Sequence, residues 1–180
     1  MVSIKQKRLL KFTRLFESNF ASHNLSFIHM PKHIPVDIVH FLKGQTCANI
    51  CSVDADHLPY CFTCFYVFDE VQQCLYFKSQ MNTKHAQLLE ANSHCAGTIL
   101  EDNLDKILLK GVQFQGLVKR NSIFDVAASM KYHAHYPMAV AVPGDMWTVY
   151  LEHIKFTDNS KGFGHKSHWS AHDNGATDES

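Results

Sequence analysis

The chain has 180 residues, 46% hydrophobic and 19% charged, a balance that excludes a globally disordered protein. Lys+Arg and Asp+Glu both number 17, so the formal net charge is zero. A cationic surface that tracks nucleic acid is therefore not expected, and weak self-repulsion favours self-association. No apolar run approaches the ~18 residues of a membrane span, so stable membrane insertion is not expected either.

Residues 1–30 read as a basic extension. Lys5, Lys7, Arg8, Lys11 and Arg14 precede the first acid, Glu17, and alternate with Leu9, Leu10, Phe12, Leu15 and Phe16. The pattern suits a helix laid on anionic lipid, an organelle transit peptide, or an extension packing one stripe on the domain. Met30 is an alternative natural start. The segment has no uninterrupted apolar core of a secretory signal, so a cytoplasmic location is expected.

Residues 31–158 read as one domain. Pro35 opens a short helix that ends at Gly44. Residues 46–53 and the aromatic run 58–68 form a hairpin around Asp54–His57, and 73–79 make a third strand after Asp69-Glu70. A helix follows from Asn82, its expected N-cap, to about Asn92. Residues 95–100 and 106–119 are strands, with Gly111 and Gly116 marking a bulge, a bend or a close backbone approach. Ser122 to about His135 reads as a helix with Phe124, Val126, Ala127 and Met130 inward, and 146–156 as the last strand. Residues 159–180 form a Gly/His/Ser-rich tail, and the chain beyond Thr157 is expected to be loosely ordered. Hairpin connections argue against a doubly wound parallel sheet. They predict a mainly β fold, an antiparallel barrel with peripheral helices.

The six cysteines all lie between residues 47 and 95, mostly in apolar stretches, and are expected to be reduced core hydrophobes. Cys47, Cys51, Cys61 and Cys64 have a zinc-like count. However, Cys61 and Cys64 sit within one strand, where an offset of three points them to opposite faces. Redox use of Cys61-x-x-Cys64 fails because such pairs sit at a helix start. His165, His168 and His172 have helical spacing, but Gly162, Gly164 and Gly175 oppose a helix there, so no metal is expected.

The most informative segment is L-Y-F-K-S-Q-M-N-T-K-H-A-Q-L, residues 75–88. It places a strand, a loop and a helix start together. A helix start presents unpaired N–H groups and the positive end of the macrodipole. Thr83 adds a donor, Lys84 a point charge and His85 a second, pH-dependent charge. These are the parts of a phosphate site. A capped surface helix that happens to carry a Lys and a His uses the same residues.

T-K-H-A-Q (83–87), K-G-V-Q-F-Q-G (110–116) and I-K-F-T-D-N-S-K-G-F-G (154–164) resemble the FMN-binding split-barrel superfamily, the pyridoxamine 5′-phosphate oxidase-like proteins, and most of all their YhbP-like branch, which has no assigned reaction. The resemblance covers about residues 35–169. It implies a six-stranded antiparallel split barrel and a homodimer with FMN at the interface, acting as an oxidoreductase on a small molecule. Thr83, Lys84 and His85 then occupy the phosphate-binding positions. Phe77, Lys78 and Ser79 occupy strand positions that meet the ribityl chain or the flavin. Thr63 and Cys64 lie where backbone groups face the ring, and Gln113 or Gln115 stands in for a Gln that the family carries at Gly111, on the same strand face but not at the same location. Cys61 and Tyr66 stand where pyridoxamine phosphate oxidases carry an Arg and a Lys, which counts against that reaction itself. The alternative is a non-catalytic flavin- or haem-binding protein in a storage or sensing role, with haem brought in by relatives in haem metabolism. Trp147 reads as core or dimer contact, and Trp147 or Trp169 could also stack on a flavin.

Overall fold

The computed structural model describes residues 32–172, so the basic extension lies outside the described residues. Among the described residues three α-helices and seven strands follow one another: α1 (Val36–Gly44), β1 (Cys47–Val53), β2 (Pro59–Asp69), β3 (Cys74–Ser79), α2 (Lys84–Ala91), β4 (His94–Leu100), β5 (Lys110–Arg120), α3 (Val126–His135), β6 (Asp145–Asp158) and β7 (Lys166–Ser170). The strands hydrogen-bond in the order β3-β2-β1-β4-β5-β6-β7, and β3 also pairs with β6. All pairings are antiparallel, and the second β3 contact closes the first six strands into a barrel. The expected split-barrel architecture is present, with β7 added outside the closed ring.

The 14-residue strand β6 holds this arrangement together. Its first half pairs with β3 and its second half with β7, while β5 runs along the other side of both. Opposite Gln115 and Gly116 the partner changes from His153 to Leu151, so Glu152 is an extra residue in β6. The bulge shifts the alternation of the strand. Trp147, Val149 and Leu151 are buried before it, and Ile154 and Phe156 after it. The Ala171 amide donates to the bulged Glu152 carbonyl at 2.8 Å, so the bulge leaves that acceptor paired.

The barrel interior is one apolar cluster that includes Ile50, Tyr66, Leu75, Phe77, Ile99, Val112, Phe114, Trp147, Val149 and Ile154. Helix α1 adds Ile38, Phe41 and Leu42, with Phe41 packed on Phe156 at 5.1 Å between ring centroids. The Tyr66 hydroxyl donates to the Leu42 carbonyl at 2.7 Å. Helix α2 adds Ala86 and Leu89.

Four expectations change. The helix after residue 122 begins at Val126 and buries Ala128 and Tyr132 against Cys74 and Tyr76 on the outer face of β3. Phe124, Val126, Ala127 and Met130 are not buried inward. The N-cap of α2 is Thr83 rather than Asn82, its hydroxyl accepting from the Ala86 amide at 3.3 Å. The chain beyond Thr157 is not loose as far as His172. β7 buries Trp169, whose indole N–H donates to the Lys32 carbonyl at 2.9 Å. Finally, Cys51 and Cys61 are not reduced core thiols: they face each other across the β1–β2 ladder and form a disulfide. Cys74 and Cys95 are buried free thiols.

Candidate functional site

Strand β3 ends at Ser79, and a four-residue loop carries the chain into α2. That loop is short because Thr83 closes it twice. The Thr83 amide and hydroxyl both donate to the Gln80 carbonyl, at 3.2 and 2.8 Å. The turn brings Ser79, Thr83 and His85 together. Ser79 Oγ lies 2.6 Å from His85 Nε2 and 3.3 Å from Thr83 Oγ1, and His85 Nε2 lies 3.1 Å from Thr83 Oγ1. Thr83 has spent its one proton on Gln80, so its contact with His85 is a hydrogen bond only when Nε2 carries the hydrogen. In that tautomer both hydroxyls accept from the imidazole, and the Ser79 hydroxyl hydrogen is left to donate elsewhere.

The imidazole is held from behind by Phe62 of β2, stacked at 3.9 Å with an interplanar angle of 11°. Burial lowers the His85 pKa below its ordinary value of 6.5. The ring is therefore neutral at neutral pH and adds no second charge to the site. The cation is Lys84, exposed and with its ammonium 4.7 Å above the Tyr60 ring. The Lys84 and His85 amides, first in the helix, find no acceptor among the described residues and point with the helix dipole. The arrangement offers two amides, one ammonium and, when Nε2 carries the imidazole hydrogen, the Ser79 hydroxyl as donor, a set that suits an oxyanion.

A pH effect follows from the neutral imidazole. The unfolded chain binds more protons than the folded one between the lowered pKa of His85 and 6.5. Stability is thus fully present above 6.5 and falls as the pH drops through that window. In urea melts between pH 7.5 and 5, His85→Gln should show a smaller loss on acidification than the wild type; identical slopes would contradict the burial of His85.

The remaining expected residues are divided. Lys78 and Ser79 are successive in a strand and point to opposite faces. The Lys78 ammonium donates to the Ala139 carbonyl at 2.8 Å and lies 3.3 Å from His133 Nε2, away from the cluster. Phe77 is fully buried, stacks on Trp147 and is paired with β2 on one side and β6 on the other, so its side chain is closed to a ligand. Cys64 packs against the core, and burial pushes its thiol up to about 12. Thr63 and Gln113 lie on the outer face. They belong to one cross-sheet row that runs Thr63, Asn49, Thr98, Gln113, Lys155, His168. The Thr63 hydroxyl donates to Asn49 Oδ1 at 2.6 Å. Trp147 and Trp169 are both buried and cannot stack on a flavin.

Sequence reading did not single out Phe62 and Tyr60 as site residues. Both lie on the same face of β2, two apart, and one backs the imidazole while the other backs the ammonium. Tyr66, at the position where pyridoxamine phosphate oxidases are basic, is buried with its hydroxyl on Leu42, and Cys61 is in the disulfide. Neither can serve as the missing cation.

No family model matches the chain. A UPF0306 protein of Yersinia pestis bv. Antiqua (strain Angola) is 34% identical over 131 residues, 72% of this chain and 88% of the relative. Among solved structures, a haem-binding protein from Mycobacterium smegmatis superposes with a TM-score of 0.63 at 11% identity, covering 78% of this chain and 60% of that one. An FAD-binding protein from Mesorhizobium loti superposes with a TM-score of 0.55 at 13% identity, covering 69% and 95%. At these identities the structures show a shared fold alone, the split barrel. The relationship to the Yersinia protein is of another order, since it extends over most of both sequences, and on that ground the chain belongs to the UPF0306 family.

Proposed function

We propose that this protein binds FMN, with the phosphate at the start of α2, and acts as a flavin-dependent oxidoreductase on a small molecule in a cleft completed by a second copy of the chain. The observation that carries the reading is the group formed by Ser79, Lys84 and the first α2 amides, backed by Phe62 and Tyr60. A dianion is held by several donors and a cation, and the reading draws them from Ser79, Lys84 and the α2 amides at this end of the barrel. The flavin, when bound, supplies the redox chemistry. The chain's own part is to hold the phosphate and to orient the ring against the backbone of β2. The absence of a cation at Cys61 and Tyr66 sets the substrate apart from pyridoxamine phosphate. A homodimer is supported by zero net charge and by the exposed apolar residues Phe65, Phe124 and Met130.

Lys84→Ala should weaken FMN binding by about 1.5–3 kcal/mol, the size of a hydrogen bond to a charged group, without altering the fold. Flavin fluorescence quenching reads the affinity; an unchanged value would remove the phosphate assignment. The same titration run with haemin tests the alternative, a non-catalytic haem-binding protein, which the Mycobacterium smegmatis neighbour supports by its fold. Bleaching of bound FMN by NADH or NADPH, followed by turnover, separates an enzyme from a flavin carrier.

A further inference from the structure

The Cys51–Cys61 bond lies on the outer face of the barrel, away from the α2 cluster, and joins strands that are already joined. Seven residue pairs connect β1 and β2, from Cys47↔Phe65 to Val53↔Pro59. The turn between them is fixed by Asp54, whose carboxylate accepts from the Asp56 and Leu58 amides at 3.0 and 2.9 Å. On its other side β1 pairs with β4. The ladder, the turn and the β4 pairing form the hairpin without the crosslink, so the bond is not needed to set the register of the strands.

The pair is also open and chemically isolated. Cys61 is exposed and Cys51 half-buried, so a reductant reaches the Cys61 sulfur from solvent. Cys64, Cys74 and Cys95 are pushed up to about 12 by burial and stay as thiols. Cys47 shares the face but stands four residues along β1 from Cys51, roughly 13 Å at the rise of a strand. None of the four is placed to resolve or scramble the bond.

We propose that Cys51 and Cys61 form a reversible dithiol–disulfide pair that exchanges with a dithiol reductant and sets the rigidity of the β1–β2 hairpin. A thiolate of the reductant attacks Cys61 Sγ, forming a mixed disulfide and releasing Cys51 as a thiolate that takes a proton. The reductant's second thiolate then attacks its own sulfur in the mixed disulfide, closing the reductant's disulfide and releasing Cys61, which takes the second proton. Two electrons pass from the reductant to the pair. The same exchange run in reverse with an oxidised dithiol restores the bond. In a reducing compartment the pair rests as thiols, and oxidation stiffens the strand that also carries Thr63. The proposal is independent of any bound flavin.

The test equilibrates the full chain with graded mixtures of reduced and oxidised dithiothreitol, traps free thiols with a maleimide, and maps the peptides. Expected are a 51–61 linked peptide at the oxidised end and its loss with two new adducts at the reduced end. The far-UV dichroism should stay unchanged, and amide exchange over residues 60–63 should be faster in the reduced protein. No linkage in any mixture, linkage to Cys47 or Cys64 instead, or unfolding on reduction each overturns the proposal. The double variant Cys51→Ser, Cys61→Ser should reproduce the exchange of the reduced protein; if it exchanges as slowly as the oxidised form, the bond does not set the hairpin's rigidity and the proposal fails.

Discussion

Trp147→Ala should destabilise the protein by about 3–5 kcal/mol in urea unfolding, the range for removing a large aromatic side chain from a core. Trp147 is fully buried, faces Phe77 across the β3–β6 ladder and stacks on it at 6.0 Å between centroids. Its loss leaves a void at the seam that closes the barrel. The indole also acts through its N–H, which donates to the Ser79 carbonyl at 3.3 Å, at the point where β3 becomes the α2 loop. Trp147→Phe separates packing from this hydrogen bond. It keeps most of the apolar volume and loses the bond to Ser79, so it should cost less stability than alanine while still weakening FMN binding. A Trp147→Ala loss below about 1 kcal/mol would mean that the seam is not packed as described.

Gly116→Ala should cost about 3 kcal/mol or more, at the top of the range for overpacking. A Cβ at this position would lie 2.1 Å from the Tyr150 carbonyl oxygen, a backbone atom of the paired strand β6. No side-chain rotation relieves such a clash, and the strands must separate next to the Glu152 bulge. The measurement is the urea midpoint compared with Gly162→Ala. Gly162 has open space around it but a positive φ of 127°, so its cost is backbone strain alone. Equal small losses at both sites would contradict the close approach.

The barrel strands were legible because aromatic and β-branched runs are punctuated by Asp54–His57 and Asp69-Glu70. The T-K-H helix start was legible for the same local reason. What escaped depended on partners distant in the chain. β7 is hidden by a Gly, His and Ser composition, and only Trp169 hints that Lys166–Ser170 belongs in the sheet. Sequence spacing from Ser122 puts Phe124, Val126, Ala127 and Met130 on the inner face, whereas the helix begins only at Val126 and turns Ala128 and Tyr132 to β3. The Glu152 bulge is invisible to a strict alternation. The disulfide had a readable signal, since Cys51 and Cys61 are equally far from Asp56, the middle of the hairpin turn. Within the site, strand periodicity already separates Lys78 from Ser79. Phe62 and Tyr60 looked like ordinary core aromatics because their contacts with His85 and Lys84 cross from β2 to α2.

Strand β6 serves β3, β5 and β7 at once, and it comes late in the polypeptide. During synthesis on the ribosome, β3 and β5 must wait with bare edges until Asp145–Asp158 has emerged from the exit tunnel. A message truncated before that point yields a sticky half-barrel rather than a smaller folded protein, and cellular quality control would meet it as an aggregation hazard.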